Sequence, residues 1–345
     1  MTEMVLDPEV IQSAARMLEE GKLVAFPTET VYGLGADAEN PAAVARIYAA
    51  KGRPANHPVI VHVAPGADIG YWSDAIPAEA RALIDAFWPG PLTLILKRAA
   101  HIPDAVSGGQ DSIGLRCPSH PVAQALLKAF KGGKGGVAAP SANRFGHVSP
   151  TTAQHVRDEF GTGSESPVAC ILDGGQSEVG IESTILDLSR MESHGPVLLR
   201  PGHVSASAIA RVIGVHPRMP DATAPRASGT LEAHYAPNTP VALVASEQLN
   251  HIHERLVFNN RRVALLYRTI GPIPLAAAQT GMPATPDDYA HDLYAALRTM
   301  DEARADIILV ESPPTGPEWQ GVNDRLRRAA HDSAGALSRM LDEAR

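Results

Sequence analysis

The chain has 345 residues, of which 44% are apolar and 20% are charged, and its formal net charge is −8. This length allows two domains of ordinary size, and the composition is typical of a globular enzyme rather than a disordered or fibrous protein. The sequence contains no apolar run long enough to suggest a membrane span, and its acidity disfavours nonspecific binding of nucleic acid over the whole surface.

The beginning of the chain and the cysteine content narrow the class further. The first residues, MTEMVLDPEVIQSAARMLEEGK, are acidic and soon helical, so we expect no secretory signal and a cytosolic protein. Cys117 and Cys170 are the only cysteines and lie far apart, which argues against a disulfide framework and against a CxxC zinc site.

The sequence near the start of the chain predicts a helix. Asp7 followed by Pro8 predicts an N-cap with proline in the first helical position, and this helix ends at Gly21. A short buried strand, KLVAF, follows. The next stretch, PTETVYGLGADA, contains a proline and two glycines that break regular structure. It is predicted to be a loop or turn that carries Thr28, Glu29, Thr30 and Tyr32.

The next elements alternate between helix and strand. Asn40 and Pro41 predict a second helix that runs out at Lys51 and Gly52. In the strand VIVHV the valines share one face, and His62 lies on the other. Further strands are predicted at LTLIL, SIGLR, GVAA, ACILD, STILDL and PVLLR, and further helices near residues 77–87, 121–130, 151–159 and 206–213. Because strands and helices do not alternate strictly, we expect a mixed sheet.

A change of composition divides the chain. Residues 215–240 are rich in proline and small residues, which is typical of an interdomain linker. We therefore predict a catalytic domain over 1–214, the linker over 215–240 and a small α/β domain over 241–345. In the last domain the strands VALVA, RRVALLYR and DIILVES alternate with helices near 247–257, 287–303 and 318–343, which favours a parallel sheet.

Polar residues at strand ends are the main functional signal. Arg116 closes SIGLR, Arg200 closes PVLLR, and Ser141 and Asn143 follow GVAA. Strand ends of α/β sheets are common ligand sites. Any single arginine is more often a solvated surface residue, but Lys51, Arg53, Arg116 and Arg200 together suit a polyanion.

Residues with hydroxyl side chains occur in three further motifs of the chain. We expect four of these residues to be able to donate hydrogen bonds to phosphate oxygens: Ser141 in PSAN, Ser149 in HVSPTT, and Ser183 and Thr184 in IESTI. For Ser149 and Thr151 helix capping is an equally good interpretation, and it is compatible with ligand contact.

Several common motifs are absent from the sequence. GGKGG at 132–136 does not fit the P-loop pattern and is more typical of a helix-to-strand turn, and no GxGxxG follows a strand. His251 and His253 are two positions apart on a predicted helix and do not share a face, so metal binding there is not expected. A triad containing Ser141 stays open, although no GxSxG motif supports it.

Seven motifs in order carry a family resemblance: PTETVYGLGADA, KGRPANHPVIVHV, WPGPLTLIL, IGLRCPSH, APSAN, IESTILDL and LLRPG. The chain resembles the YrdC-like threonylcarbamoyl-adenylate synthases in their longer, two-domain form. HYAPNTP and the C-terminal pattern extend the resemblance over nearly the whole chain. It implies a YrdC/RibB-like open mixed sheet around a positively lined groove, a small Rossmann-like domain, and a linker that passes over the active site.

The resemblance also implies an activity. The enzyme would join L-threonine, bicarbonate and ATP into threonylcarbamoyl-AMP and release pyrophosphate, as the first step of the t6A modification of tRNA. Mg²⁺ would accompany ATP, with unknown protein ligands. The product would pass to a tRNA threonylcarbamoyl transferase. Direct tRNA binding is left open.

Site residues follow from the motif positions in this resemblance. The threonine-binding set is Thr30, His62, Arg116 and Ser183, with Arg116 on the carboxylate. The ATP-binding set is Lys51, Arg53, His57, Ser141, Asn143, Ser149, Arg200 and Tyr235, of which Lys51 and Arg53 are the catalytic candidates. The linker reads SGTLEAHYAP, and only Tyr235 is carried over from it.

Three alternatives remain at this point. An RNA-binding module could use the same basic groove, although the 5% aromatic content disfavours it. A carbamoyl-adenylate synthase is a closer relative, but its usual acylphosphatase and zinc-finger segments are not visible. For His62 itself, a satisfied core histidine is the plain alternative to a ligand contact.

Overall fold

The computed structural model describes residues 7–232, 234–333 and 335–342. They divide into two compact units. The first holds the residues up to 230 except the short segments 146–149 and 179–181, which belong with residues from 231 onward to the second. The predicted linker is thus shared between the units, and its predicted role as a cover stays a prediction.

The first unit begins as its capping residues predict. The Asp7 side chain accepts a hydrogen bond from the Glu9 amide, and the Asn40 side chain accepts from the amides of Ala42 and Ala43. Helices of this unit are α1 (Pro8–Glu19), α2 (Pro41–Lys51), α3 (Ala78–Phe87), α4 (Asp104–Ser107), α5 (Pro121–Ala129), α6 (Ala153–Phe160), α7 (Met191–His194) and α8 (Ala206–Ile213), with 3-10 turns at Ile69–Tyr71 and Phe130–Gly133.

Ten strands of the described residues form the sheet of the first unit. They are β1 (Leu23–Phe26), β2 (Gly33–Asp37), β3 (Ile60–Val63), β4 (Ser73–Ala75), β5 (Leu92–Arg98), β6 (Ser112–Arg116), β7 (Gly136–Ala138), β8 (Val168–Ile171), β9 (Thr184–Asp187) and β10 (Val197–Arg200). Their order is β10-β9-β5-β6-β3-β7-β2-β1-β8, with β4 paired to β5. The pairs β3/β6, β5/β9 and β1/β8 are parallel and the others antiparallel, so the expected mixed sheet is confirmed.

The prediction that Gly33 and Gly35 break regular structure was wrong. Both lie in β2, which pairs with β1 and β7. A Cβ on Gly35 would lie 2.9 Å from side-chain atoms of both Phe26 and Val137. Glycine is needed here because neighbouring side chains approach the strand closely, and not because the chain turns.

The second unit is a four-stranded parallel sheet in the order β11-β14-β12-β13. Its elements are β11 (Val241–Val244), α9 (Ser246–Phe258), β12 (Val263–Tyr267), β13 (Ala278–Gly281), α10 (Pro286–Glu302), β14 (Ile307–Glu311), α11 (Gln320–Ala329) and α12 (Ala336–Asp342), with 3-10 turns at Pro317–Trp319 and His331–Ser333. The predicted parallel α/β unit is confirmed, whereas β13, whose sequence AQTG has no apolar alternation, was missed.

The single final helix predicted over 318–343 was wrong. Within the described residues, α11 ends at Ala329 and α12 begins at Ala336. Between them the Ser333 hydroxyl accepts a hydrogen bond from the Val241 amide at 3.1 Å, so a tertiary contact replaces helical continuity. Residue 343 lies outside the described part.

Two smaller expectations concern membrane and metal sites. No helix in the described part of the chain is long and apolar enough to cross a membrane. His251 is exposed and His253 is buried on α9, as expected for positions that do not share a face.

Candidate active site

The ends of two neighbouring parallel strands bring together three of the predicted threonine-binding residues. His62 of β3 and Arg116 of β6 are register partners. Thr30, in the loop after β1, accepts a hydrogen bond from Arg116 Nη1 at 2.8 Å. Thr28 fixes Thr30 from the other side, with their hydroxyl oxygens 2.8 Å apart. All four residues are at most 4% exposed, so a polar ligand here would be shielded from water.

His62 is buried against an aromatic neighbour. Its ring lies edge-on to Phe26, with centroids 6.1 Å apart. The pKa of His62 is lowered to about 3, mainly because the ring is buried and secondly because Arg116 is positively charged. The imidazole is therefore neutral near pH 7. A neutral ring can hydrogen-bond a substrate hydroxyl without adding charge, and both interpretations of His62 fit this environment.

Sequence reasoning missed Glu29, an acidic residue in this cluster. Glu29 Oε1 lies 2.6 Å from Arg116 Nη2, and Glu29 Oε2 accepts the Ser119 amide at 3.1 Å. Its side chain is 3% exposed. The only signal in the sequence was an acid between the two threonines of PTET, and the loop prediction gave it no role.

Ser183, the fourth predicted threonine residue, lies beside Arg200. Its hydroxyl is 2.7 Å from the Thr93 hydroxyl. Arg200 donates to the Ser183 carbonyl through Nε at 3.0 Å and Nη2 at 2.9 Å. The backbone joins this group to the Arg116 cluster, because Arg116 Nε donates to the Gly90 carbonyl and the next carbonyl, of Pro91, accepts from the Thr184 amide.

A second residue that sequence reasoning missed, Ser228, links two predicted nucleotide-binding arginines. Arg200 Nη1 donates to the Ser228 carbonyl at 2.8 Å, and both terminal nitrogens of Arg53 lie 3.4 Å from the Ser228 hydroxyl. Arg53 also donates to the Pro58 carbonyl at 2.8 Å. Ser228 belongs to the predicted linker, from which only Tyr235 was carried over.

Lys51 lies at the end of α2 and reaches the segment that follows β7. Its Nζ donates to the carbonyls of Ser141 and Asn143. Burial, followed by the charge of Arg53, holds the pKa of Lys51 well below its usual range, against the opposite effect of Glu159 and Glu182. An anion bound here would favour the ammonium form, because an opposite charge raises the pKa of an amine. Ser141 and Asn143 thus contact Lys51 through their backbone carbonyl oxygens. The side-chain amide of Asn143 donates instead to the Arg144 carbonyl at 2.7 Å.

His57 is half-buried on the turn before β3. Its ring packs edge-on against Phe145, with centroids 5.6 Å apart. Burial lowers the pKa of His57, and the charges of Arg53 and Arg226 act in the same direction. It therefore lies in a positive environment, as a nucleotide-binding role requires.

Two predicted nucleotide residues belong to the second unit. Ser149 is fully buried. Tyr235 has a φ of +63°, and the Arg325 guanidinium lies 5.4 Å from its ring centroid. Their roles toward ATP stay predictions.

A metal site would require several ligand side chains close together in the described residues. No group of three or more His, Cys, Asp or Glu side chains among them is arranged to hold a metal ion. The expected Mg²⁺ therefore has no protein ligands that we can name.

Comparison with known proteins shows which family this chain belongs to. Residues 16–202 match the family model of Sua5, YciO and YrdC, which is described as "Telomere recombination", and residues 204–331 match the model "Threonylcarbamoyl-AMP synthase, C-terminal domain". The chain belongs to the threonylcarbamoyl-AMP synthase family. The member of this family from Pyrococcus abyssi is 39% identical, with 93% of this chain and 94% of that protein covered. The member from Bacillus subtilis is 39% identical, with 94% and 93% covered.

A solved structure of a family member has the same fold. The crystal structure of P. abyssi Sua5 complexed with L-threonine superposes with a TM-score of 0.86 at 36% identity, covering 95% of this chain and 96% of that one. The expected fold class, a YrdC-like mixed sheet with a small α/β unit, is thereby confirmed.

Proposed function

We infer that this chain is a threonylcarbamoyl-AMP synthase, which converts L-threonine, bicarbonate and ATP into threonylcarbamoyl-AMP, pyrophosphate and water. In the reaction the threonine amine forms a carbamate with bicarbonate or CO2. A carbamate oxygen then attacks the α-phosphorus of ATP, and pyrophosphate leaves. The product serves the t6A modification of tRNA.

One observation carries this assignment beyond family membership. The buried cluster around Arg116, which we assign to the amino acid, is connected through Gly90, Pro91 and Ser183 to Arg200, one of the buried cations that we assign to the triphosphate. The chemistry requires these two neighbours, because the carbamate formed on threonine has to reach the α-phosphorus. No covalent enzyme nucleophile is needed. Positioning of reactants can lower a barrier by roughly 7–11 kcal/mol in favourable cases, and cations can stabilise charge on phosphorus.

The roles of individual residues remain proposals. We assign Thr30, His62, Arg116 and Ser183 to threonine. We assign Lys51, Arg53, His57, Ser141, Asn143, Ser149, Arg200 and Tyr235 to ATP. Lys51 and Arg53 are the groups proposed to meet the negative charge at phosphorus. Mg²⁺ is proposed to arrive on the phosphates of ATP, where it would neutralise part of their charge.

The decisive assay measures pyrophosphate release with threonine, bicarbonate and ATP present and with each omitted in turn. We expect release only when all three are present. Release that does not depend on threonine would contradict the assignment, and release with carbamoyl phosphate in place of threonine and bicarbonate would indicate a carbamoyl-adenylate synthase. No turnover, combined with tRNA binding that falls steeply with salt, would indicate an RNA-binding module.

The consumer of the product is proposed from its chemistry. A threonylcarbamoyl adenylate is an activated acyl donor, so a tRNA threonylcarbamoyl transferase is the partner that uses it, and we propose that both act in the cytoplasm. Supplying purified transferase and tRNA should convert the adenylate into modified tRNA with release of AMP. Failure of this transfer with an active transferase would contradict the proposed partner alone.

A further inference from the structure

One face of α10 contacts segments of the chain that carry or adjoin predicted site residues. Ala290, Tyr294 and Arg298 are spaced four residues apart, so they share this face. On neighbouring positions, Leu293 and Leu297 are at most 1% exposed, and the helix packs against β12, β13 and α11. Because α10 is fixed in this way, it can act as a rigid support for the segments that its face contacts.

Arg298 holds the first of these segments, residues 146–149. Its Nη2 donates a hydrogen bond to the carbonyl of Val148. Val148 is 3% exposed, so removing this donor would deprive a buried carbonyl of a charged partner, which is costly. The Ala236 amide donates to the Gly146 carbonyl at 2.9 Å. The second unit therefore fixes the backbone of this segment at two points.

Both ends of the segment continue into the first unit. Directly before it, the Phe145 amide donates to the Lys51 carbonyl at 2.8 Å. Directly after it, the Pro150 carbonyl accepts from the Tyr32 amide at 2.9 Å. Ser149 is the last residue of the segment and is fully buried. Its position therefore depends on the hydrogen bond that the second unit makes to the residue before it.

Two other contacts of the same helix face are of the same kind. The backbone of α10 passes so close to Gly180 that a Cβ there would lie 2.3 Å from the Ala290 carbonyl oxygen. Ser183, a predicted threonine-binding residue, follows three positions later. The ring of Tyr294 lies beside that of Tyr235, with centroids 5.8 Å apart. One helix thus supports segments that lead to three predicted site residues.

We propose that Arg298 is a positioning residue for ATP, because it holds the segment 146–149 so that the Ser149 hydroxyl meets a phosphate oxygen of the nucleotide. This inference rests on the proposed function, and it gives α10 of the second unit a part in the reaction. Arg298 does not contact the substrate in this role. Its effect on the nucleotide is carried entirely by Ser149.

The competing interpretation is that Arg298 only stabilises the second unit. A residue of that kind would change the apparent affinities for ATP and for L-threonine by the same factor, through the fraction of folded protein. A positioning residue would change the affinity for ATP alone. Its effect would also disappear once the Ser149 hydroxyl is removed.

Calorimetric titration with a non-hydrolysable ATP analogue and with L-threonine separates the two interpretations. Arg298→Met keeps a long side chain but removes the donors. We expect it to weaken binding of the analogue by about tenfold, the lower end of the range for a hydrogen bond to a charged group, and binding of L-threonine by less than about threefold. Arg298→Lys keeps a donor, so its affinity for the analogue should lie between those of Arg298→Met and the wild type.

A double-mutant cycle tests the route through Ser149. Ser149→Ala should itself weaken binding of the ATP analogue, because a donor to phosphate is lost. Adding Arg298→Met to Ser149→Ala should weaken it by less than about a further twofold, because both changes remove the same contact.

Arg262→Met is the matched control. Arg262 also belongs to the second unit, and its Nη2 donates to the carbonyl of Ala303, the C-cap residue of α10, at 3.1 Å. Loss of this bond removes a similar contact of the same helix at a distance in sequence from Val148. The ratio of the two affinities should therefore stay as in the wild type.

Each result has a distinct meaning. Equal weakening of both ligands by Arg298→Met would overturn the inference in favour of stabilisation, and additive effects of Arg298→Met and Ser149→Ala would overturn it in favour of an independent action of the arginine. If Arg298→Met does not fold, Ser149→Ala still decides, because an analogue affinity within about twofold of the wild type would also overturn the inference. A wild-type protein that binds no ATP analogue would instead count against the proposed function.

Discussion

The two ends of the site hold their cations differently. At the proposed amino-acid end, one cation, Arg116, is paired with the carboxylate of Glu29. At the proposed phosphate end, three cations, Lys51, Arg53 and Arg200, each donate to at least one backbone carbonyl. A single guanidinium suits one carboxylate, whereas several cations close together suit a polyanion such as triphosphate. The different number of cations thus agrees with the proposed placement of threonine and ATP.

Removing a cation from the phosphate end should have the largest effect. We expect Lys51→Ala to lower kcat for pyrophosphate release by about 100-fold or more, because a preorganised charge at the reacting phosphorus would be lost. Threonine affinity should remain close to that of the wild type. Lys97→Ala, which removes an exposed lysine of β5, is the control and should leave turnover unchanged. An equal loss of threonine binding in Lys51→Ala would show that the two ends are not separable.

A change at the amino-acid end should have an intermediate effect on turnover and a specific effect on threonine. Arg116→Lys keeps the charge but loses the planar fork that contacts Gly90, Thr30 and Glu29. We expect threonine affinity, measured by calorimetry, to fall by about tenfold or more, with little change in the affinity for an ATP analogue. Weaker binding of the ATP analogue with unchanged threonine affinity would reverse our assignment of Arg116.

The smallest predicted effect concerns stability and pH. Since the pKa of His62 is lowered to about 3, the folded protein does not protonate it at pH 5, whereas the unfolded chain, with an ordinary imidazole pKa of about 6.5, does. The unfolded state then binds more protons, so His62 makes stability decrease as pH falls from about 6.5 toward about 3. Thermal unfolding should show a smaller loss of Tm between pH 7 and pH 5 in His62→Asn than in the wild type.

An exposed histidine provides the comparison for this pH measurement. His251→Asn on α9 should lose Tm over the same pH range as the wild type does. Identical pH profiles for His62→Asn and the wild type would show that the imidazole is not held neutral by the fold.

Particular residues show where the sequence predicted helices and strands correctly and where it did not. Caps, prolines and apolar runs placed α1, α2 and β6 correctly, because these signals act between residues close in the chain. The same local rules failed at Gly35, where neighbouring strands crowd the backbone, and at Ser333, where a contact with Val241 interrupts a helical pattern.

The sequence by itself determined which side chains lie at strand and helix ends, including Lys51, Arg116 and Arg200, since apolar runs and glycine or proline breaks define those ends. Only the tertiary structure decided that Glu29 faces Arg116 and that Ser228 lies between Arg53 and Arg200. Both pairings join residues far apart in the chain. No local pattern encodes them, because they arise from the order and register of strands in the sheet and from the path of the chain after β10.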